Sequence, residues 1–367
     1  MVDSLKLQSE MAADFLEKEW KPILEQAREI ISHRASEIDE VILCGCGDSH
    51  HAARNLEMAI GGWTERRVRS APAMEASRYL VPAIRPTAAK TLVIGISASG
   101  EVARTLEAIE LAAAMGAFTL GITGAAESKL ARTAQMFLSL STPAMSVGPG
   151  LINYLASLLM GFSLTTVLTP APRQKELERC LEQIPDVLRD WHREQIELGE
   201  EAARGYSGGA VIFLGTGPAY GSALFSAAKL IEAAGVQAWG QDVEEWAHLE
   251  YFCEPSSMTT WLLSSKGRSL GRESEVEAAA RTIGRQFYLS TWEGGKGWSP
   301  FAREALAPLG LWIGPVAFAS RLAFMMDEVP FRGFGGGRSH VEGGGASLIR
   351  SSARITPEDV SQYSSKG

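Results

Sequence analysis

The sequence predicts an α/β fold made of two tandem units, each a parallel sheet flanked by helices in three layers. Three observations predict it. The chain has 367 residues, which suits two domains at about 100–200 residues each. A strand, glycine turn and helix occur twice: Val41 to Ile60 reads VILCGCGDSHHAARNLEMAI and Val211 to Leu230 reads VIFLGTGPAYGSALFSAAKL. The stretch between the copies is charged and helix-prone, as a connector would be.

In chain order, Met1 to Glu19 is amphipathic and mixed in charge, and residues 1–35 predict an N-terminal helical segment. Residues 36–172 form the first α/β unit. Its strand at Val41 ends in Gly45 and Gly47, and a second strand, Thr91 to Ile96, leads into Ser97, Ser99 and Gly100 ahead of another helix. The apolar run Leu151 to Leu168 is interrupted by Asn153, Ser157, Ser163, Thr165 and Thr166 and stopped by Pro170. A bilayer span needs about 20 predominantly apolar residues, so a buried helix is expected there. Residues 173–204 predict the helical connector, with Pro185 inside it.

Residues 205–330 are the second unit. Gly45 pairs with Gly215, Gly47 with Gly217 and Glu75 with Glu245, all at an offset of 170. A further pair, Thr91 to Ser97 against Thr260 to Lys266, is aligned with a one-residue shift. Such strand and helix alternation is the grammar of a parallel sheet. Residues 331–367 are a glycine-rich tail carrying Arg332, Arg338, His340 and Arg350. It reads either as disorder or as a flap over an anionic ligand.

Composition narrows the function classes. With 43 acidic against 35 basic residues the net charge is −8, which argues against general nucleic-acid or anionic-membrane binding. The four cysteines show no CxxC pair and no signal segment is apparent, so a reducing cytoplasm is expected. No His, Asp, Glu or Cys cluster has metal-ligand spacing, and neighbouring His50 and His51 diverge by about 100° on a helix. Neither a metal nor a cofactor is expected. The GxGxxxG at Gly215 to Gly221 departs from the GxGxxG of dinucleotide sites.

The segment VIGISASGEVARTL (Val93 to Leu106) sets hydroxyls and backbone N–H groups at the positive end of a helix, an arrangement that suits an anion. The plainer alternative is that Ser99 caps the helix. In the second copy, Glu232 lies near a helix C-terminus stopped by Gly235, and Asp242 with Glu245 resembles a capping box opening a helix that carries His248. A surface ion pair of Lys229 with Glu232, worth about 0.2–0.5 kcal/mol, is the structural alternative for Glu232.

C-G-C-G-D-S (Cys44 to Ser49) together with S-A-S-G-E (Ser97 to Glu101) resembles the SIS (sugar isomerase) domain. The duplication is similar to the tandem-SIS family, which includes the isomerase half of glucosamine-6-phosphate synthase and the Amadori-product (fructosamine 6-phosphate) deglycases. The resemblance spans about Val41 to Ala353. It implies Ser97, Ser99 and Ser49, with Gly45, Gly47 and Gly100, as the cradle of a sugar's anionic group. It also implies a glutamate in K-L-x-E and a histidine 16 positions later as the acid–base pair, here Glu232 and His248.

Two departures bear on the anion. The family's threonine is Val102, and Arg104 stands two residues later where an acidic residue is common. A sulfonate is therefore an alternative to phosphate. Leu249 and Glu250 replace the Gly-Pro that follows the histidine in the amidotransferase branch, and that branch's C-terminal lysine motif is not found; Arg350 is the candidate anion ligand in the tail. The chain begins MVDSLK, so glutamine-dependent amination is not expected of it. The resemblance implies an aldose–ketose isomerase for an anionic hexose. A deglycase or deaminase and a non-catalytic sugar-phosphate sensor are the alternatives. It further implies a homodimer in which His248 serves the neighbouring subunit's site.

Overall fold

Each sheet begins with a strand that is apolar on both faces, because helices cover both sides of a parallel sheet. The computed structural model describes residues 4–145, 148–328 and 353–362. It divides into two units. Among the described residues, one holds 19–143, 153–178 and 353–362; the other holds 4–18, 144–145, 148–152 and 179–328. Helix α1 (Ser4–Ile31) contributes to both.

The first-sheet unit contains β1 (Glu40–Gly45), α2 (Asp48–Thr64), β2 (Arg67–Pro72), β3 (Thr91–Ser97), α3 (Ala103–Ala114), β4 (Phe118–Thr123) and β5 (Met136–Ser139). All strands run parallel in the order β2-β1-β3-β4-β5. β1 pairs with β3 from Glu40 opposite Thr91 to Cys44 opposite Gly95. Both strands are buried throughout. Gly95 lets α3 close on the sheet, since a Cβ there would sit 2.8 Å from Ile109 Cγ1.

Helix α4 (Ile152–Leu168) is the expected buried helix. Gly161 admits Leu56 of α2, which a Cβ would overlap. The hydroxyls of Ser157, Ser163, Thr165, Thr166 and Thr169 each donate to the carbonyl four residues back, so they are satisfied without water. Tail residues 353–362 also belong here: Thr356 and Asp359 form a capping box for Pro357–Ser361. Val360 packs into the core of Ile42, Val93 and Leu106.

Helix α5 (Ala171–Gly205) runs unbroken through Pro185 and contributes to both units. The second-sheet unit contains β6 (Ala210–Leu214), α6 (Pro218–Ala234), β7 (Ala238–Gln241), α7 (Val243–His248), β8 (Met258–Ser264), α8 (Leu270–Thr282), β9 (Gln286–Thr291), α9 (Pro300–Leu306) and α10 (Ile313–Met325). The order β7-β6-β8-β9 repeats that of the first sheet without a fifth strand. Trp261 of β8 anchors the core, ringed by Phe213, Tyr288 and Phe318, and its indole N–H donates to Ser290 Oγ at 3.0 Å. By composition the stretch Pro300–Met325 could cross a bilayer, and 89% of its apolar window is buried in the fold.

The register corrects one part of the repeat alignment. β6 pairs with β8 from Ala210 opposite Met258, just as Glu40 faces Thr91. Thr91–Ser97 therefore corresponds to Met258–Ser264, an offset of 167, rather than to Thr260–Lys266. The connection into β8 is three residues shorter, a deletion that apolar patterning alone does not register.

Candidate functional site

In an open parallel sheet, ligands bind beyond the carboxyl ends of the strands where the order reverses. In the first sheet that point lies between β1 and β3, at Gly45 and Ser97. At Gly45 a Cβ would lie 2.7 Å from the Ser49 backbone, so the turn into α2 needs glycine. Gly47 precedes α2 at φ 56° and ψ −129°, a backbone shape that L-residues avoid. Ser49 is the second residue of the helix.

Across from it, the Ser97 hydroxyl is buried and accepts the Gly100 N–H at 3.1 Å, while Ser99 Oγ accepts the Glu101 N–H at 3.3 Å. Gly100 turns at φ +65°, and a Cβ there would overlap Ser128 Oγ. Ser99 does not cap the following helix. The residue ahead of α3 is Val102, and neither α2 nor α3 has a side-chain cap. First-turn N–H groups of a helix are donors of the kind an anion attracts; in α2 the Ser49 N–H already donates to the Cys46 carbonyl at 3.3 Å.

Arg104, expected as an anion ligand, is only partly engaged, since its Nη2 is buried without a hydrogen-bond partner. Its Nη1 pairs with Glu107 Oε2 at 2.5 Å, and its side chain is 14% exposed. Glu107 is fully buried and also accepts from Ser77 Oγ (2.7 Å), Arg78 Nε (3.3 Å) and Ile355 N (3.0 Å). Packing of α3 against the turn after β2 draws one nitrogen of the guanidinium to Glu107, because a buried carboxylate requires a counter-charge. The Glu107 hub was not foreseen. A charged residue at the third position after Arg104, on the apolar face of α3, was its only sequence signal.

Burial sets the titration of the neighbouring side chains. His50 is pushed down to about 4, first by burial and then by neighbouring His51 and Arg54. The Cys44 thiol is pushed up to about 12 by burial, whereas Cys46 is exposed.

The second sheet offers the matching point between β6 and β8. Glu232 lies near the end of α6, which Gly235 closes at φ 66° as expected. The Lys229 Nζ donates to Glu232 Oε2 at 2.6 Å. This is not the expected surface pair: Lys229 is wholly buried and Glu232 is one-third exposed. Lys229 also lies 5.1 Å from the Phe225 ring centroid. Lys229 belongs in the account of the site, and its place in K-L-I-E was the available signal.

Asp242 caps α7 by accepting from Glu244 N at 2.8 Å. Glu245 does not complete a box; the short helix takes a one-sided cap. His248 ends α7, 67% exposed, and its Nε2 bonds Glu244 Oε1 at 3.1 Å, not Glu232. Arg272 and His248 together hold the Glu244 carboxyl below its usual range. Arg350 and the glycine tract, with Arg332, Arg338 and His340, lie outside the described residues.

Chemically, the first loop offers hydroxyl and backbone donors for an oxyanion, and the second unit a carboxylate against a buried ammonium and an exposed imidazole. Comparison with known proteins agrees with this reading of the fold. Residues 36–168 match the SIS domain model. Over 218 residues, 58% of the chain, it is 33% identical to the isomerizing glutamine–fructose-6-phosphate aminotransferase of Mycolicibacterium smegmatis. The chain matches about a third (34%) of that relative's length.

The C-terminal domain of glucosamine-fructose-6-phosphate aminotransferase from Francisella tularensis superposes with a TM-score of 0.71 at 17% identity, covering 89% of this chain and 96% of that one. Tagatose-6-phosphate ketose/aldose isomerase from Escherichia coli gives 0.68 at 14%, covering 89% and 94%. At such identities the structures speak for the fold alone. Over residues 36–168 the chain is similar to the SIS domain family.

Proposed function

We propose that the protein is an aldose–ketose isomerase acting on a hexose that carries a terminal oxyanion, a 6-phosphate or a 6-sulfonate. The observation that carries this reading is the loop Ser97–Gly100 beside the Gly45–Ser49 turn. It places two serine hydroxyls and two helix starts without side-chain caps at one switch point. Serine hydroxyls and N–H groups hold an oxyanion without bulk or permanent charge. Arg104 gives Nη1 to Glu107 and keeps Nη2 buried without a hydrogen-bond partner, and the serine hydroxyls and N–H groups beside it suit a singly charged sulfonate as well as a phosphate.

Glu232 is the base in this proposal. Its carboxylate takes the proton from C2 of the aldose as O1 gains a proton, leaving an enediol; it then returns the proton to C1 as O2 gives up its hydroxyl proton, which gives the ketose. Lys229 Nζ donates to the carboxylate at 2.6 Å and fixes its orientation. His248 moves the hydroxyl proton that opens the sugar ring, a task suited to a group whose ordinary pKa is about 6.5. Each group contributes on the order of 10²–10⁴-fold. We place the enzyme in the cytoplasm as a homodimer with His248 serving the partner's site. Leu249, Tyr251 and Phe252, exposed next to His248, offer an apolar surface for a second copy.

The test is a screen of hexose 6-phosphates and 6-sulfonates in deuterated water, with exchange at C1 and C2 followed by NMR. Turnover should fall at least a hundredfold in Glu232→Gln and in His248→Ala, and mixing the two variants should restore part of it. Undiminished turnover in Glu232→Gln would refute the assignment. Release of a free amine from a 6-phosphorylated Amadori adduct, with no exchange on simple sugars, would replace isomerase by deglycase. Binding without turnover would leave a sensor.

A further inference from the structure

The second sheet carries its own copy of the serine loop, visible only once the strand register sets the offset at 167. Ser264-Ser265-Lys266-Gly267-Arg268 stands where Ser97-Ala98-Ser99-Gly100-Glu101 stands in the first, and Gly267 takes the place of Gly100. It too precedes a helix without a side-chain cap, α8. With Lys266 and Arg268 it holds more positive charge than the first loop. The left-handed residue sits one position earlier, at Lys266 with φ +47°.

The two loops differ in what fills them. In the first, Ser97 and Ser99 accept N–H groups of their own loop, and Glu101 turns to Lys129. In the second, the buried Glu304 of α9 lies against the loop. Its Oε1 accepts the Arg268 N–H at 3.0 Å, and its Oε2 lies 3.5 Å from Arg268 Nε. A Cβ on Gly267 would overlap that same Oε1, so the glycine is what admits the carboxylate. Buried Glu273 takes the hydroxyls of Ser264 and Ser269, and Lys266 pairs with Glu293. The Ser265 hydroxyl, in the same loop, is buried without a hydrogen-bond partner.

We infer that the second loop is an oxyanion site whose ligand position is filled by the protein's own Glu304 carboxylate, so each chain takes up one oxyanion, through the first loop. The carboxylate satisfies the loop N–H group that an external phosphate or sulfate would take, and its charge repels one. The duplicated fold has thereby divided its labour. The first copy holds the charged end of a ligand; the second has that capacity closed from within and is left with Glu232 and His248. The part concerning the first loop rests on the proposed function, while the closure of the second does not.

The experiment is calorimetric titration with inorganic phosphate, at low ionic strength, of the full chain and four variants. The wild type should bind one phosphate per chain. Ser99→Ala should weaken it at least tenfold, and Arg268→Ala, at a largely exposed side chain, should leave it unchanged. Glu304→Ala should add a second phosphate per chain. Glu304→Gln, which removes the charge and leaves a neutral side chain that phosphate can displace, should fold like the wild type and gain weaker second-site binding.

Two phosphates bound by the wild type, or wild-type binding lost in Arg268→Ala, would overturn the inference. So would the absence of added binding in Glu304→Gln, the variant that decides if Glu304→Ala fails to fold. No binding by the wild type but one phosphate gained on substitution at Glu304 would instead overturn the reading of the first loop and keep that of the second.

Discussion

Replacing Gly100 by alanine tests whether the serine loop is held by close packing or by backbone conformation alone. Gly100 and Gly116 both have positive φ, +65° and +82°. An L-residue in the left-handed region costs about 1–2 kcal/mol, and both substitutions lose the same unfolded-chain entropy. The surroundings differ. At Gly116 a Cβ meets nothing within 4 Å, whereas at Gly100 it overlaps Ser128 Oγ and Cβ and lies 2.9 Å from Thr123 Oγ1. Ser128 cannot yield freely, because its hydroxyl caps Lys129–Thr133 by accepting from Ala131 N.

Overpacking costs about 1–3 kcal/mol and loss of a cap about 0.5–2 kcal/mol. Gly100→Ala should thus be less stable than Gly116→Ala by roughly 1–3 kcal/mol, a lower urea midpoint at unchanged m-value. Adding Ser128→Gly should recover at least about 1 kcal/mol of that difference, a coupling that independent sites would not show. Equal midpoints for the two alanine variants, or strict additivity with Ser128→Gly, would refute the packing argument.

Two other perturbations follow from buried charge. His50 titrates near 4 in the fold against 6.5 for an ordinary histidine, so below pH 6.5 the unfolded chain binds a proton that the folded chain does not. Stability should therefore fall as pH drops from 6.5 towards 4, by up to about 3 kcal/mol, and be indifferent to His50 above pH 7. Thermal melts of His50→Gln should lack that part of the acid loss, and an unchanged pH dependence would contradict it. Glu107→Ala strands Arg104 and Arg78 and frees the Ile355 N–H. It should cost about 3–5 kcal/mol and open residues 353–362 to protease; a loss below about 1 kcal/mol would show that the hub is not needed.

Elements with a strong local pattern were legible in the sequence. The apolar strands at Val41 and Val211, the Gly-x-Gly turns, the stop at Gly235 and the helix over Leu151 to Leu168 are encoded in residue spacing. Strands and helices impose periods that side chains must follow. The serine loop was legible too, because a turn between a buried strand and a helix start leaves few positions for its hydroxyls.

The sequence by itself therefore determined the two-sheet α/β architecture and the place of the serine loop between β3 and α3. Tertiary structure decided the partners. Glu107 could not be read as the counter-charge of Arg104 and Arg78, nor Lys229 as a buried ammonium against Glu232 rather than a surface pair. Nor could the second serine loop be recognised before the β6–β8 register moved the alignment to 167 and placed Glu304 against Gly267. The physical reason is that conformational preference is local to a few neighbouring residues. Desolvation instead forces a buried charge to find whatever partner packing brings near, at any distance along the chain.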